Sequence, residues 1–288
     1  MNSRAFVVGG VPEPMNLPWH IALADGTFAN AGFAVEWVDH PGGTGAIATA
    51  LAERTLDVAT ILTEGAVAAI VNGADLRICS LWMTSPLIWG IHVAGHSTAR
   101  TIHDIEPVRF AVSRLGSGSH LMAYLLAARD GFRLQPTQLV VVGDIDGARE
   151  ALREDRADVF LWEKFVTSPL VHRGEFRRID TIATPWPSFA IAVHSATLAS
   201  RARDLDRLLR AAQHAAGRFV RDREASAHIV SRYGLAERDA TEWLAGCRFA
   251  TETGVAAQVV EDVQQRLASV GAITTTRPAN AIVANIAT

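Results

Sequence analysis

Reactive side chains are scarce in this 288-residue sequence. Lys164 is the only lysine among 27 basic residues, and there are two cysteines and two tyrosines. Chemistry that requires an amine side chain must therefore use Lys164. Cys79 and Cys247 lie in apolar surroundings far apart in the sequence, which predicts two buried thiols rather than a disulfide. The ten histidines form no Cys/His or H-E-x-x-H pattern at metal-ligand spacing, so we predict neither a metal nor a cofactor.

Strong charge and long apolar runs are also missing. The formal net charge is -3 and the sequence pI is about 6.4. No basic field would attract nucleic acid or an anionic membrane, so neither is an expected partner. No run approaches the roughly 18 apolar residues of a transmembrane helix, and we predict no membrane span.

The first residues, MNSRAFVVGGVP, carry no charged n-region, long apolar h-region or small-residue cleavage site. As it stands, the sequence therefore predicts a cytoplasmic protein. If a leader precedes it in the native protein, the predicted location becomes periplasmic or extracellular. The permease of an ABC transporter would then be an expected partner.

Strand-like and helix-like segments alternate through the first two thirds of the chain, which predicts βαβ units and mainly parallel sheets. The alternation runs to a strand at Leu87–Ala94 and restarts with a strand at Val108–Ser113. One long helical segment is predicted over Asn16–Asn30. From Leu198 to Val270 helices dominate, and no low-complexity linker separates the parts. We predict an α/β fold in two halves with a helical C-terminal tail.

Glycine and hydroxyl side chains cluster at Gly116–His120, after a predicted strand. The cluster lacks the Gly-Lys-Ser/Thr of a phosphate-binding P-loop, and Ser117 has no glycine two residues later, as a nucleophile elbow requires. It fits a turn in which Ser119 caps the following helix and free N–H groups attract a carboxylate, phosphate or sulfonate. A capped helix without a ligand remains the alternative interpretation.

A second glycine-rich turn, Gly42–Gly45, stands in the corresponding place of the first half, with Thr44 beside a predicted helix N-terminus. A turn that only connects two elements is as common. Because ligands of open α/β sheets bind beyond the carboxyl ends of the strands, two such loops favour a cleft between two facing sheets.

Aromatic and acidic residues leave the ends of other predicted strands. Trp162, Glu163 and Lys164 follow one strand and Glu64 follows another, and Trp186 stands between two prolines. An indole beside a carboxylate suits a flat ligand with an N–H donor or a cationic nitrogen. The alternatives are plain core tryptophans, a carboxylate that only stabilises a helix dipole, and a surface lysine.

These motifs, in this order, resemble the type 2 periplasmic-binding-protein fold, in the branch of alkanesulfonate- and thiamine-precursor-binding proteins. The resemblance covers nearly the whole chain. It is closest to relatives without a signal sequence that are described as thiamine-biosynthesis or substrate-binding proteins. The motifs that carry it are GGVPEP after the first strand, GGTG, LTEG, SRLGSGSH and WEKF.

The resemblance implies two lobes that close on a ligand in the cleft between them. We expect residues 1–96 and 196–288 to form lobe I and residues 97–195 to form lobe II. The expected ligand is a small anionic or zwitterionic, flat, nitrogen-containing molecule such as a thiamine-pyrimidine precursor, or else a sulfonate or carboxylate. The residues expected to bind it are Pro12, Asn16, Gly43, Thr44, Glu64, Ser117, Gly118, Ser119, His120, Trp162, Glu163 and Trp186.

No catalytic constellation stands out in the sequence, and we assign no catalytic residue. The competing hypothesis is an enzyme of pyrimidine or thiamine-precursor metabolism that uses Lys164 or His120. A related fungal pyrimidine synthase of the same family carries a cysteine-rich motif, and this chain has only Cys79 and Cys247. A regulatory protein with a vestigial cleft is a third alternative.

Overall fold

The computed structural model describes residues 5–286 and contains ten strands and eleven helices within that range. The chain folds into two compact units, each built around a five-stranded sheet. Unit 1 comprises residues 1–86, 186–233 and 241–288, and unit 2 comprises residues 87–185 and 234–240. The predicted division into lobe I (residues 1–96 and 196–288) and lobe II (residues 97–195) concerns which residues move together, and it remains a prediction.

Unit 1 begins with alternating strands and helices and receives two further segments after residue 185. Its elements are β1 Phe6–Gly10, α1 Leu17–Ala24, α2 Thr27–Asn30, β2 Val35–Asp39, α3 Gly43–Ala52, β3 Val58–Leu62, α4 Thr63–Val71, β4 Leu76–Met83, β10 Phe189–His194, α8 Ser195–Phe219, α9 Ala225–Tyr233 and α11 Ala257–Ser269. The helix α10, Glu237–Gly246, begins in unit 2 and ends in unit 1.

Unit 2 repeats the pattern on one nearly continuous segment. Its elements are β5 Ile88–Ala94, β6 Phe110–Val112, α5 Gly118–Arg129, β7 Leu139–Val141, α6 Ile145–Arg153, β8 Val159–Glu163, α7 Ser168–His172 and β9 Phe176–Ala183. Its apolar core packs Ala and Leu side chains of α6 against Phe160 and Phe176.

Both sheets are mixed: in each, four of the five strands run in the same direction, which agrees with the prediction of mainly parallel sheets, and one strand runs against them. The strand orders are β2-β1-β3-β10-β4 and β7-β6-β8-β5-β9. In each sheet two pairings are parallel, and the fourth strand runs antiparallel to both neighbours. The antiparallel strands, β5 and β10, are those that the chain forms directly after leaving the other unit. A local strand–helix pattern cannot reveal this pairing, because the partners are distant in sequence.

The helical segment predicted over Asn16–Asn30 is interrupted in the structure. The structure has α1 and α2 there, separated at Gly26, whose φ of 76° is in the left-handed region that glycine favours. Trp19 lies in the core of unit 1, with ring centroids 5.5 Å from Phe28 and 5.3 Å from Trp82. Trp19 and Trp82 are therefore core tryptophans, one of the alternatives left open.

Within residues 5–286, no helix is both long and apolar enough to cross a membrane. The same part of the chain contains no group of three or more His, Cys, Asp or Glu side chains arranged to hold a metal ion.

Candidate functional site

The carboxyl end of β6 carries a cluster of three buried serines, which we call the serine cluster: Ser113, Ser117 and Ser119. The Ser119 hydroxyl accepts a 3.0 Å hydrogen bond from the Ser113 N–H and lies 3.0 Å from the Ser117 hydroxyl. Ser113 and Ser119 hydroxyls are 3.4 Å apart. The cluster thus joins the residue that follows β6 to the first turn of α5. Sequence reasoning did not assign Ser113 to the site, although it opens the SRLGSGSH motif.

Ser117, and not Ser119, is the N-cap of α5, which corrects the sequence-based assignment. Its hydroxyl accepts from the His120 N–H at 3.3 Å, and its extended backbone precedes the helix. The first intrahelical bond runs from the Leu121 N–H to the Ser117 carbonyl. The N–H groups of Gly118 and Ser119 precede that bond, so they point out of the helix end, where the dipole favours an anion.

The His120 ring is fixed beside this helix end. Its Nδ1 lies 3.0 Å from the Gly116 N–H, which can only donate, so Nδ1 accepts and Nε2 carries the proton of the neutral ring. Burial lowers the pKa of His120. His120 therefore offers a neutral N–H donor at its far nitrogen.

Glu163 ends β8 and folds back on its own loop. Its Oε2 accepts from the N–H groups of Phe165 and Val166, at 2.7 and 2.6 Å. A buried histidine supports the same loop: His92 Nε2 lies 2.9 Å from the Thr167 hydroxyl. Burial lowers the pKa of His92 to about 3, so the ring is neutral. One carboxylate oxygen of Glu163 thus shapes the turn that follows the strand.

Trp162 is half-buried and stacks on Phe160, with centroids 5.2 Å apart and an interplanar angle of 22°. Lys164 is half-buried as well, and its Nζ lies 4.7 Å from the centroid of the Phe165 ring. These residues and the serine cluster all belong to unit 2. Six of the twelve predicted ligand residues lie in this unit: Ser117, Gly118, Ser119, His120, Trp162 and Glu163.

In unit 1, Glu64 and Trp186 form a buried pair. The Trp186 indole N–H donates a hydrogen bond to Glu64 Oε2 at 2.8 Å. Trp186 is 4% exposed and Glu64 is 2% exposed. Among the described residues, Glu64 Oε1 has no hydrogen-bond partner, and neither has the hydroxyl of the adjacent Thr63. Burial raises the pKa of Glu64 to about 7, against the opposing effects of its own backbone N–H and the Trp186 indole. The orientation of the Trp186 indole is thus set by a hydrogen bond as well as by packing.

The N-termini of α3 and α4 lie against each other at Thr44 and Gly65. A Cβ on Gly65 would lie 2.0 Å from Cγ2 of Thr44, so only glycine permits this approach. Gly43 begins α3 with a φ of 68°, again in the left-handed region. The structure therefore brings Gly43 and Thr44 to the helix end next to Glu64.

Asn16 anchors the loop after β1 from inside the protein. It is fully buried, its Nδ2 donates to the Val11 carbonyl at 2.8 Å, and its Oδ1 accepts from the Thr60 hydroxyl at 2.7 Å. Pro12, by contrast, is exposed at the tip of the same loop. Asn16 therefore positions the loop that presents Pro12.

Unit 1 also has a surface cavity of about 380 Å³ on another side, lined by Arg54, Asp57, Thr197 and Arg201 among others. None of the predicted ligand residues lines it. There, Asp57 Oδ2 accepts a hydrogen bond from the Val7 N–H at 3.0 Å and lies 3.8 Å from Arg201 Nη1. These charged side chains therefore make structural contacts within unit 1.

Two units with mixed five-stranded sheets of this strand order are the architecture of the periplasmic-binding-protein fold. The family model of Ca3427-like periplasmic binding proteins matches residues 89–182. A search of curated proteins with the sequence gives no match.

Solved structures agree over the whole chain. The CA3427 gene product of Candida albicans, reported as exhibiting the generic periplasmic-binding-protein fold, is 23% identical with a TM-score of 0.91, covering 98% of this chain and 97% of that one. The alkanesulfonate-binding protein SsuA from Xanthomonas axonopodis pv. citri, bound to MOPS, is 17% identical with a TM-score of 0.82, covering 98% and 99%. The nitrate-binding protein NrtA from Synechocystis PCC 6803 is 14% identical with a TM-score of 0.74, covering 97% and 85%. The chain thus has the type 2 periplasmic-binding-protein-like fold, and the recognition of this fold from the sequence is confirmed.

Proposed function

We propose that this chain is a solute-binding protein for one small anionic or zwitterionic molecule, which the two lobes hold by closing and do not transform. The serine cluster is the observation that carries the proposal. Each serine hydroxyl supplies one proton, and the two hydroxyl–hydroxyl contacts use two of the three. One hydroxyl proton, the N–H groups of Gly118 and Ser119, and Nε2–H of His120 remain as donors.

A group of donors without a matching acceptor suits an anion. A hydrogen bond from such a donor to a charged carboxylate, sulfonate or phosphate oxygen contributes about 1.5–3 kcal/mol. We assign the acidic group of the ligand to this helix end and to Thr44. Similarity in fold to proteins reported to bind alkanesulfonates and nitrate agrees with an anionic ligand.

The remaining predicted residues receive supporting roles in this proposal. Trp162 contacts the flat part of the ligand, and Glu64 and Glu163 face its nitrogens. Pro12, Gly43, Asn16 and Trp186 shape the first unit's share of the site. A thiamine-related aminopyrimidine is our first choice of ligand, and an aromatic or aliphatic sulfonate or carboxylate is the second.

Mass spectrometry of the native, undialysed protein is the most direct way to find a ligand that survives purification. A thermal-shift panel of alkanesulfonates, arenesulfonates, carboxylates and aminopyrimidine phosphates tests the proposal on the free protein. A ligand at about 100 times its Kd stabilises the fold by roughly 2.7 kcal/mol, which shifts the Tm by several degrees.

Ser117→Gly provides the matched variant. Glycine costs an N-cap only a few tenths of a kcal/mol relative to serine, but it removes the hydroxyl from the cluster. We expect the ligand-induced shift to fall in Ser117→Gly and to persist in Ser269→Ala, an exposed serine of α11. Absence of any shift across the panel, or equal loss in both variants, would contradict the proposal.

A further inference from the structure

Glu64 holds a buried acceptor that the fold itself does not use. Oε2 is engaged by the indole of Trp186, whereas Oε1 has no partner among residues 5–286, although the side chain is only 2% exposed. Buried polar atoms in native proteins almost always have partners, and exceptions mark strain, function or an absent ligand. The free oxygen is therefore the part of unit 1 that needs an explanation.

The position of Glu64 follows from the elements around it. It is the second residue of α4, and the first, Thr63, donates its N–H to the Ser188 carbonyl just before β10. Trp186 fixes the carboxylate from the same segment. Two chain segments therefore hold one carboxylate in a defined orientation at the carboxyl end of β3, where ligands of this sheet type bind.

A fold that only required an N-terminal cap for α4 would not need this arrangement. An exposed carboxylate in the first turn would stabilise the helix dipole without losing its hydration. Burial and the indole anchor instead leave one oxygen directed at a partner that the described residues do not provide. A hydrogen-bond donor with strong affinity for a carboxylate, an ammonium or amidine N–H, fits that requirement.

We propose that Glu64 Oε1 is a selectivity determinant that accepts a hydrogen bond from an N–H of the ligand, so that the cognate solute is an aminated anion rather than a plain one. This role of Glu64 rests on the proposed function, and it extends that function by naming the second polar group of the solute. Trp186 is the positioning residue, since it holds Oε2 and thereby orients Oε1.

Matched ligand pairs that differ only in the nitrogen test the proposal. One pair is 2-aminoethanesulfonate and propane-1-sulfonate, and the other is 4-(aminomethyl)benzenesulfonate and 4-ethylbenzenesulfonate. In each pair an ammonium replaces a methyl group of similar size on an identical sulfonate. Isothermal titration calorimetry of the full chain gives the affinity of each.

We expect at least one amine to bind about tenfold or more tightly than its alkyl partner, because a buried hydrogen bond to a charged group exceeds about 1.4 kcal/mol. The preference should disappear in Glu64→Gln and persist in Glu36→Gln, an exposed glutamate of β2. Because the carboxamide oxygen of Gln still accepts from Trp186 and carries no charge, Glu64→Gln should keep or raise the Tm of the free protein, which checks folding.

The outcomes separate the two proposals. Equal binding of amine and alkyl sulfonates by the wild type would overturn the role of Glu64 and leave sulfonate binding intact. A preference that survives in Glu64→Gln would also overturn it. If none of the four sulfonates binds, sulfonate recognition fails and the inference about Glu64 fails with it.

Discussion

The indole N–H of Trp186 donates a 2.8 Å hydrogen bond to Oε2 of Glu64, a residue 122 positions earlier in the chain. The bond joins the start of α4 to the segment that leads into β10. The adjacent strands β3 and β10 pair at Leu62 and Phe189. The hydrogen bond between Trp186 and Glu64 therefore links the two chain segments at the end of the sheet where these strands continue into a helix and a loop.

Replacing Trp186 by Phe should destabilise the protein. The substitution preserves most of the aromatic volume but removes the indole N–H from which Glu64 Oε2 accepts, at a cost of about 1–3 kcal/mol. Urea unfolding of wild type and Trp186→Phe measures the difference in the free energy of unfolding.

Trp89→Phe is the matched control, since Trp89 is equally buried and its Nε1 has no hydrogen-bond partner among the described residues. Removing an unsatisfied N–H should leave stability unchanged or raise it. If Trp89→Phe costs as much as Trp186→Phe, ring packing and not the hydrogen bond explains both results.

Gly65→Ala should destabilise unit 1 through one contact. The new Cβ would lie 2.0 Å from Cγ2 of Thr44, and overpacking of this kind costs about 1–3 kcal/mol. Combining Gly65→Ala with Thr44→Ser removes that methyl group while it retains the hydroxyl. The double variant should recover the wild-type Tm or exceed it, because Ala favours a helix by up to about 1 kcal/mol over Gly. Failure of this rescue would show that the two helix ends do not meet as described.

Trp162→Ala should weaken ligand binding beyond its effect on folding. Truncation of an aromatic residue that contacts a ligand costs about 2 kcal/mol or more, which is roughly a thirtyfold loss of affinity. Phe132→Ala is the control within unit 2: Phe132 is also half-buried and also stacks on a buried phenylalanine, Phe110, at 6.4 Å. Calorimetry below the transition temperature of each variant separates affinity from stability. Comparable losses in the two variants would remove Trp162 from the site.

The pKa of Glu64 predicts a pH dependence of both stability and binding. Burial raises the pKa from the ordinary value of 4.5 to about 7, and no charged side chain contributes to the shift. Between these values the folded state holds a proton that the unfolded state has lost. The contribution of Glu64 to stability is therefore fully present below pH 4.5 and is lost as the pH rises through 7.

Binding of an ammonium ligand should change in the opposite direction. Such a ligand prefers the ionised carboxylate, so its affinity should rise from about pH 6 to about pH 8 and level off above the pKa of Glu64. The affinity of the matched alkyl sulfonate should lack this rise. Calorimetry across the same pH range measures both, and Glu64→Gln should abolish the difference between them.

Much of the fold could be predicted from local patterns. The alternation of strands and helices indicated most elements, including α10 at Glu237–Gly246. The pairing of β5 and β10 could not be predicted, because an antiparallel neighbour distant in sequence leaves no local signal. The break at Gly26 was missed because apolar residues on both sides continue a helical pattern.

The site shows the same division. Residue types at strand ends made Ser117, Ser119 and Glu64 candidates but missed Ser113, since hydroxyls, glycines and acids at those positions are unusual. The roles of particular atoms needed three-dimensional neighbours. Ser117 rather than Ser119 caps α5. The side chain of Asn16 is hydrogen-bonded to Thr60 and Val11, and one carboxylate oxygen of Glu163 accepts hydrogen bonds from its own loop. Each of these contacts depends on backbone geometry that residue identity does not reveal.

The late insertion of β10 between β3 and β4 has a consequence for synthesis on the ribosome. Residues 87–185, which supply all five strands of the second sheet, emerge as one stretch, whereas the first sheet lacks its fourth strand until residue 194 has been translated. A nascent chain paused near residue 185 would thus expose two unpaired strand edges, at β3 and at β4. Such edges are sites of misassociation, so we expect misfolding of this protein to begin in the interval before the chain returns to the first sheet.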